Sequence, residues 1–208
     1  MVLLFSIEKN HPILEKVKNH FKKADPVLYK AIGELYLLEK VTPKDYFAKL
    51  CGEIINQQLS DKASATIYKR YQKLYPNGMI TAKHALTLTH EAIRAIGTSN
   101  AKSRFIKELA QKVVNKEAQL EKLDSMRDEE VIKELTKIKG IGPWTAEMFI
   151  MFSLARPDVF SHGDLGLRKA IKKLYGFKKE PTKKQIEKIT KKWSPYRTYA
   201  CTILWHSL

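Results

Sequence analysis

An all-α fold is predicted by three features of this 208-residue chain. Apolar residues recur every three or four positions along most of it, the spacing that lines one face of a helix. No stretch of useful length alternates apolar with polar residues, as a half-buried strand does. Helix starts and stops follow one another closely, so the helices are short, about ten of them. They are expected to form two lobes with a cleft between: a contiguous middle lobe over 60–139, and a second built from 1–59 and 140–208.

Residues Ile7 to Leu38 are read as two helical segments. His11 to Lys23 sets Ile13, Leu14, Val17 and Phe21 on one face; Pro26 to Leu38 does the same with Val27, Leu28, Ile32, Leu35 and Tyr36. Thr42 and Pro43 then suit an N-cap and first helical residue. The helix they open runs from Asp45 to about Gln58 and buries Tyr46, Phe47, Leu50, Ile54 and Ile55. Ser60 caps the helix Lys62 to Leu74, and Tyr75-Pro76-Asn77-Gly78 is a turn. A helix from Thr89 ends at Gly97; the next, Lys102 to Asn115, carries Lys102, Arg104 and Lys107, read as a solvated basic face. Asp128 to Thr136, Leu165 to Leu174, Pro181 to Trp193 and Tyr196 to about Trp205 complete the set.

Leu135 to Asp164 concentrates the unusual chemistry. Gly140-Ile141-Gly142 separates two helical runs. Gly140 falls where a helix C-terminus favours positive φ, and Gly142 permits close approach of backbone or ligand. Pro143 suits the first turn of the second helix. Unpaired amides at that helix start make an anion site, although a tight αα-hairpin needs the same glycines. Asp164 stands alone just before another helix, where an aspartate commonly caps. The paired Gln57 and Gln58 occupy a helix junction, a position suited to base edges or a gap in a duplex and equally to a polar helix end.

The net charge of +16, from 38 Lys and Arg against 22 Asp and Glu, favours a polyanion partner. A lysine-rich background composition is the alternative source of that charge. Hydrophobic residues make up 44%, enough for a packed core rather than a disordered tail. Cys51 and Cys201 are too few for a four-thiolate zinc or iron–sulfur site and sit in apolar helical contexts, as buried free thiols do. No apolar run is long enough for a membrane span. MVLLFSIEKNHP lacks a basic n-region and a cleavage site, so a cytoplasmic, nucleoid-associated protein is expected.

The segments IINQQLSDKAS (54–64), IRAIGTSNAKSRFIKELA (93–110), LTKIKGIGPWTAEMFIMF (135–152), DVFSHGDLGLRKAI (158–171) and WSPYRTYACTILW (193–205) occur in the order found in a known family. The chain resembles the helix-hairpin-helix (HhH-GPD) DNA glycosylase superfamily, within it the 3-methyladenine DNA glycosylase II branch, in a compact form without the N-terminal sheet domain of larger members. The resemblance covers most of the chain from Asp45 onward.

The resemblance implies an enzyme that flips a damaged nucleotide out of double-stranded DNA and cuts its N-glycosidic bond. Asp164 takes the position of the catalytic aspartate, which stabilises positive charge on the sugar. Lyase-competent relatives carry a lysine two residues after the second hairpin glycine; Trp144 stands there, so a monofunctional enzyme is expected. Trp144 and Trp205 line the base pocket, where electron-rich rings stack on cationic alkylated purines. Met148 joins them where relatives carry tyrosine. Gln58 fills the hole left by the flipped base, with Leu59 as the alternative wedge. The amides of Gly140 and Gly142 meet phosphate, and Lys139, Ile141 and Thr145 complete the DNA-facing set. The carbonyls of Thr136, Ile138 and Ile141 hold a monovalent Na+ or K+; catalysis needs no cofactor and no iron–sulfur cluster. His162 is read as a loop histidine able to touch substrate or tune the carboxylate.

The function expected is release of 3-methyladenine, with 7-methylguanine and hypoxanthine as further candidates, by a monomer. A glycosylase for oxidised or mismatched bases keeps the same fold. A non-catalytic helix-hairpin-helix module that only binds DNA needs the hairpin but neither the placed carboxylate nor the aromatic slot.

Overall fold

The structure, a computed structural model, describes residues 11–208. The expected helical start at Ile7 to Asn10 lies outside them. Among the described residues there are twelve α-helices and four short 3-10 turns, with no strand. None of these helices is long and apolar enough to cross a membrane. The chain separates into two compact units, which over the described residues comprise 41–149 and 11–40 with 150–208. The division therefore falls at 41 and 149 and not at 60 and 139. The physical reason is the helix after residue 45, which packs with the middle of the chain.

In the first unit, α3 (Tyr46–Asn56) packs on α4 (Asp61–Gln72) and on α7 (Asn100–Val114). Helices α5 (Ala82–Thr87) and α6 (His90–Ala95) also pack on α7, making it the unit's centre. α5 lies where the sequence pattern predicts no helix; Thr81 caps it, accepting the His84 amide at 3.3 Å. Ser60 caps α4 as expected, and Thr89 caps α6. The buried face of α7 carries Ser103, Ile106, Leu109 and Ala110. Tyr46 is fully buried, donates to Asp124 Oδ1 at 2.8 Å and meets the Phe149 ring edge-on at 5.2 Å. Cys51 is buried and free; loss of solvent pushes its thiol pKa up to about 12, as an inert core thiol requires.

The expected solvated basic face of α7 is only partly so. Lys107 Nζ donates to the carbonyls of Ala85, Leu86 and Leu88 at 3.3, 2.6 and 2.6 Å. These belong to the carbonyl end of α5, which has no intrahelical partners of its own. Lys102 serves α3 in the same way, as described below. Arg104 is exposed.

In the second unit, α10 (Leu165–Leu174) packs on α12 (Arg197–His206), and α2 (Pro26–Lys30) packs on both α1 (Pro12–Ala24) and α12. α11 (Lys183–Thr190) leads into a 3-10 turn, Lys191–Trp193, that packs on α1. Cys201 is buried on α12. The helix expected over 26–38 stops at Lys30. Ala31 ends it, and the weak helix former Gly33 follows. Leu35 is still buried, from a non-helical segment, so its apolar spacing reported burial and not helix.

Asp25 joins distant parts of this unit. It is 2% exposed and caps α2 through the Leu28 amide at 3.2 Å. Its other oxygen accepts from Tyr175 Oη at 2.7 Å and Trp193 Nε1 at 3.0 Å. Asp25→Ala leaves the tyrosine and indole donors unpaired, each costing about 1–3 kcal/mol. Urea unfolding should show a loss of about 3 kcal/mol; an unchanged midpoint would mean those donors find other partners.

Candidate active site

The glycine hairpin lies in the first unit, between α8 (Asp128–Leu135) and α9 (Pro143–Phe152), whose residues to Phe149 belong to that unit. Gly140 has φ +85°, as its position after a helix predicted. A second reason for glycine comes from packing: a Cβ there would lie 2.3 Å from Cδ2 of Phe105 on α7. The Gly140 carbonyl accepts Gln57 Nε2 at 2.6 Å. Glu108 holds Lys139, through the main-chain amide at 3.4 Å and the ammonium at 3.8 Å. The Ile141 amide donates to Ile138 O at 3.1 Å, so that amide is engaged inside the turn. The Ile138 carbonyl keeps a second lone pair, and the expected cation carbonyls of Thr136, Ile138 and Ile141 all belong to this turn segment. Among the described residues, no cluster of three or more His, Cys, Asp or Glu side chains suits a metal.

Gly142 is exposed, and a Cβ there would meet nothing within 4 Å, so no contact inside the protein calls for glycine. Ala146 N bonds to Gly142 O at 3.0 Å and closes the first turn of α9. Trp144 on that turn is 45% exposed. Thr145 and Met148 are 5% and 2% exposed, so neither presents an open face for DNA or a base.

α3 ends at Asn56, short of the expected Gln58. Gln58 is exposed at φ +57°, and the half-buried Leu59 bonds through its amide to Asn56 O at 3.1 Å. Lys102 Nζ donates to Ile55 O at 2.8 Å and to Gln57 O at 2.7 Å.

The second unit brings Asp164 and Trp205 together. Asp164 is 7% exposed and caps α10, its Oδ1 accepting the Leu167 amide at 2.7 Å and Trp205 Nε1 at 3.2 Å. Gly166 makes room for this contact: a Cβ would lie 3.1 Å from Asp164 Oδ1 and 3.3 Å from the Trp205 ring. Trp205 is half-buried, 6.0 Å from the Phe152 ring at a 45° tilt. His162 meets Phe160 edge-on at 4.9 Å, and its Nδ1 is buried without a hydrogen-bond partner. Burial lowers the His162 pKa, the positive charges of Lys183 and Arg197 lower it further, and Glu187 opposes them.

A polar clasp holds the loop before Asp164 against the start of α12. Arg197 donates to Asp158 through Nε at 2.7 Å to Oδ1 and Nη2 at 3.1 Å to Oδ2, a forked pairing. Its main-chain amide reaches Oδ1 at 3.2 Å, and Ser194 Oγ reaches Oδ2 at 2.7 Å. Buried Thr198 donates to Arg156 O at 2.6 Å and accepts the Val159 amide at 3.1 Å. The loop carrying Asp164 and the helix carrying Trp205 are thus fixed by the same residues.

A model of HhH-GPD superfamily base excision DNA repair proteins matches residues 51–195. The chain belongs to this family. It is 33% identical over 180 residues, 86% of this chain and 79% of the relative, to DNA-3-methyladenine glycosylase 1 of Schizosaccharomyces pombe. It superposes on a DNA-3-methyladenine glycosidase of Bacillus halodurans with a TM-score of 0.78 at 37% identity, covering 95% of this chain and 89% of that one. It superposes equally, TM-score 0.78 at 31% identity over 91% of this chain and 95% of that one, on the Schizosaccharomyces pombe 3-methyladenine DNA glycosylase solved in complex with abasic DNA.

In this HhH-GPD chain the hairpin, Gln58 and Trp144 belong to the first unit, Asp164 and Trp205 to the second. Sequence reasoning missed Phe105, Gly166, Asp158, Arg197 and Thr198, and it misread Lys102. A glycine inside the first turn of α10 was a usable signal, since glycine weakens a helix. The others carry none, because their partners lie far away in the chain: Phe105 meets Gly140, Asp158 meets Arg197, and Thr198 meets Arg156.

The clasp is pH-dependent. Burial works to raise the Asp158 pKa, but the hydrogen bonds from Arg197 and Ser194 outweigh it and hold the carboxyl below its ordinary value. A folded pKa below the unfolded one adds stability that is present above the unfolded pKa, about 4, and is lost as pH falls through the folded pKa. Asp158→Asn should therefore melt lower than wild type at pH 7, and the difference should shrink below pH 4 or so. An equal difference at both pH values would remove the charged clasp from this account.

Proposed function

We propose that this protein is a monofunctional DNA glycosylase that releases alkylated purines, 3-methyladenine foremost, by hydrolysis. The observation that carries the reading is Asp164: a buried carboxylate held at the head of α10 by a backbone amide and the Trp205 indole. A pure DNA-binding module needs the hairpin but no such carboxylate. The relatives support the same reading, since they are named 3-methyladenine glycosylases and one is bound to abasic DNA, what remains when a base has left.

The chemistry follows from charge. An N3-alkylated purine is cationic and leaves as a neutral base, taking the electron pair of the glycosidic bond. Positive charge develops on the sugar, and the Asp164 carboxylate stabilises it. Water attacks C1′, and its proton passes to the same carboxylate. Trp144 occupies the position at which a lysine would otherwise form a Schiff base, so water is the nucleophile and an intact abasic site is the product. The Trp205 indole, beside Asp164, supplies an electron-rich face for the cationic base.

For DNA, the reading assigns phosphate contacts to the hairpin around Gly140 and Gly142; the carbonyls of Thr136, Ile138 and Ile141 would hold a Na+ or K+, whose positive charge would favour a phosphate there. Gln58 takes the hole in the duplex. The protein works as a monomer on chromosomal DNA, to which its charge of +16 attracts it.

Methylated duplex DNA, with freed bases separated and identified, tests the reading. Wild type should release 3-methyladenine, and Asp164→Asn should lower single-turnover release by about a hundredfold or more while still binding DNA. Full activity in the variant would remove Asp164 from the mechanism. Borohydride added during turnover should trap no protein–DNA adduct; a trapped adduct would overturn the monofunctional assignment.

A further inference from the structure

Gln58 is exposed and sits at φ +57°, a conformation that non-glycine residues rarely hold without help from their surroundings. Three tethers over residues 55–59 supply that help. Lys102 Nζ donates to both Ile55 O and Gln57 O, at 2.8 and 2.7 Å. The Leu59 amide bonds to Asn56 O at 3.1 Å. The Gln57 side chain bonds to Gly140 O at 2.6 Å.

We propose that Lys102 is a positioning residue that holds Gln58 in the conformation that enters the DNA stack. The proposal rests on the reading of Gln58 as the residue that fills the hole. Lys102 reaches the tip of this turn from α7, a separate and rigid element. Its compact ammonium spans two carbonyls and leaves the peptide between them no freedom to rotate. The next residue, Gln58, turns through positive φ and is exposed to solvent. Burial lowers the Lys102 pKa, consistent with an ammonium spent on carbonyls instead of water. The Gln57 bond extends the same hold to the hairpin, so the phosphate-binding turn and the inserting residue share one support.

A helix cap that only stabilised the fold would affect every substrate alike; a positioning residue acts through Gln58. The test uses a duplex with 2-aminopurine opposite an abasic-site analogue, where fluorescence reports insertion independently of base release. Saturating wild-type protein should change that fluorescence, and Lys102→Met should reduce the change at saturation. Lys102→Arg, which keeps donors, should restore most of it. In single-turnover release from fully paired methylated duplex, Lys102→Met should be about tenfold slower or more. In a Gln58→Ala background the same substitution should cause no further loss. Lys102→Gln, a milder second variant, should fall between. A full wild-type fluorescence change in Lys102→Met, or an equal loss of rate with and without Gln58, overturns the proposal alone. A wild-type protein that binds the duplex without changing the fluorescence overturns the role of Gln58 and the proposal with it.

Discussion

The hairpin can close only because residue 140 has no side chain. Its φ of +85° alone favours glycine, but the Phe105 ring, where a Cβ would sit 2.3 Å away, makes the demand absolute. That ring belongs to α7, the helix on which α3, α5 and α6 pack. The turn, the segment around Gln58 and the start of α9 with Trp144 are therefore all referenced to one central helix. A shift of α7 would move each of them together.

The second unit solves a different problem. A buried carboxylate must be given hydrogen-bond donors that hold it in one orientation. Asp164 does this with a backbone amide and an indole N–H, groups whose geometry is set by α10 and α12. Gly166 removes the one Cβ that would press on both partners. The Arg197–Asp158 pairing and Thr198 then bind the approaching loop to α12, so Asp164 and Trp205 keep a common frame. The cap on α10 and the hold on the Trp205 indole are both made through the Oδ1 oxygen.

The surplus of positive charge is not all surface. Lys102 and Lys107 place their ammonium groups on carbonyls at the ends of α3 and α5. Helices this short leave a large fraction of their carbonyls without intrahelical partners, and long lysine side chains from a neighbouring helix are one way to satisfy them. The remaining lysines supply the field that draws a polyanion. Composition alone does not separate these two uses.

Local chemistry determined much of this protein. Helix spacing, the caps at Ser60 and Thr89, the positive φ at Gly140 and the helix opened by Pro143 all depend on neighbours within a few residues, and the sequence shows those neighbours directly. The motif order identified the family and singled out Asp164 and Trp205, which the fold brings into contact. Tertiary structure decided the rest. The segment over 31–38 left the helix despite its apolar spacing, because burial and helix share that pattern. The division into units moved to 41 and 149 because α3 packs on α7. Met148 and Thr145 went into the interior while Trp144 stayed at the surface, and Lys102 turned from a solvated charge into a tether. Each of these outcomes depends on groups far apart in the chain, whose meeting is set by packing and not by any local preference.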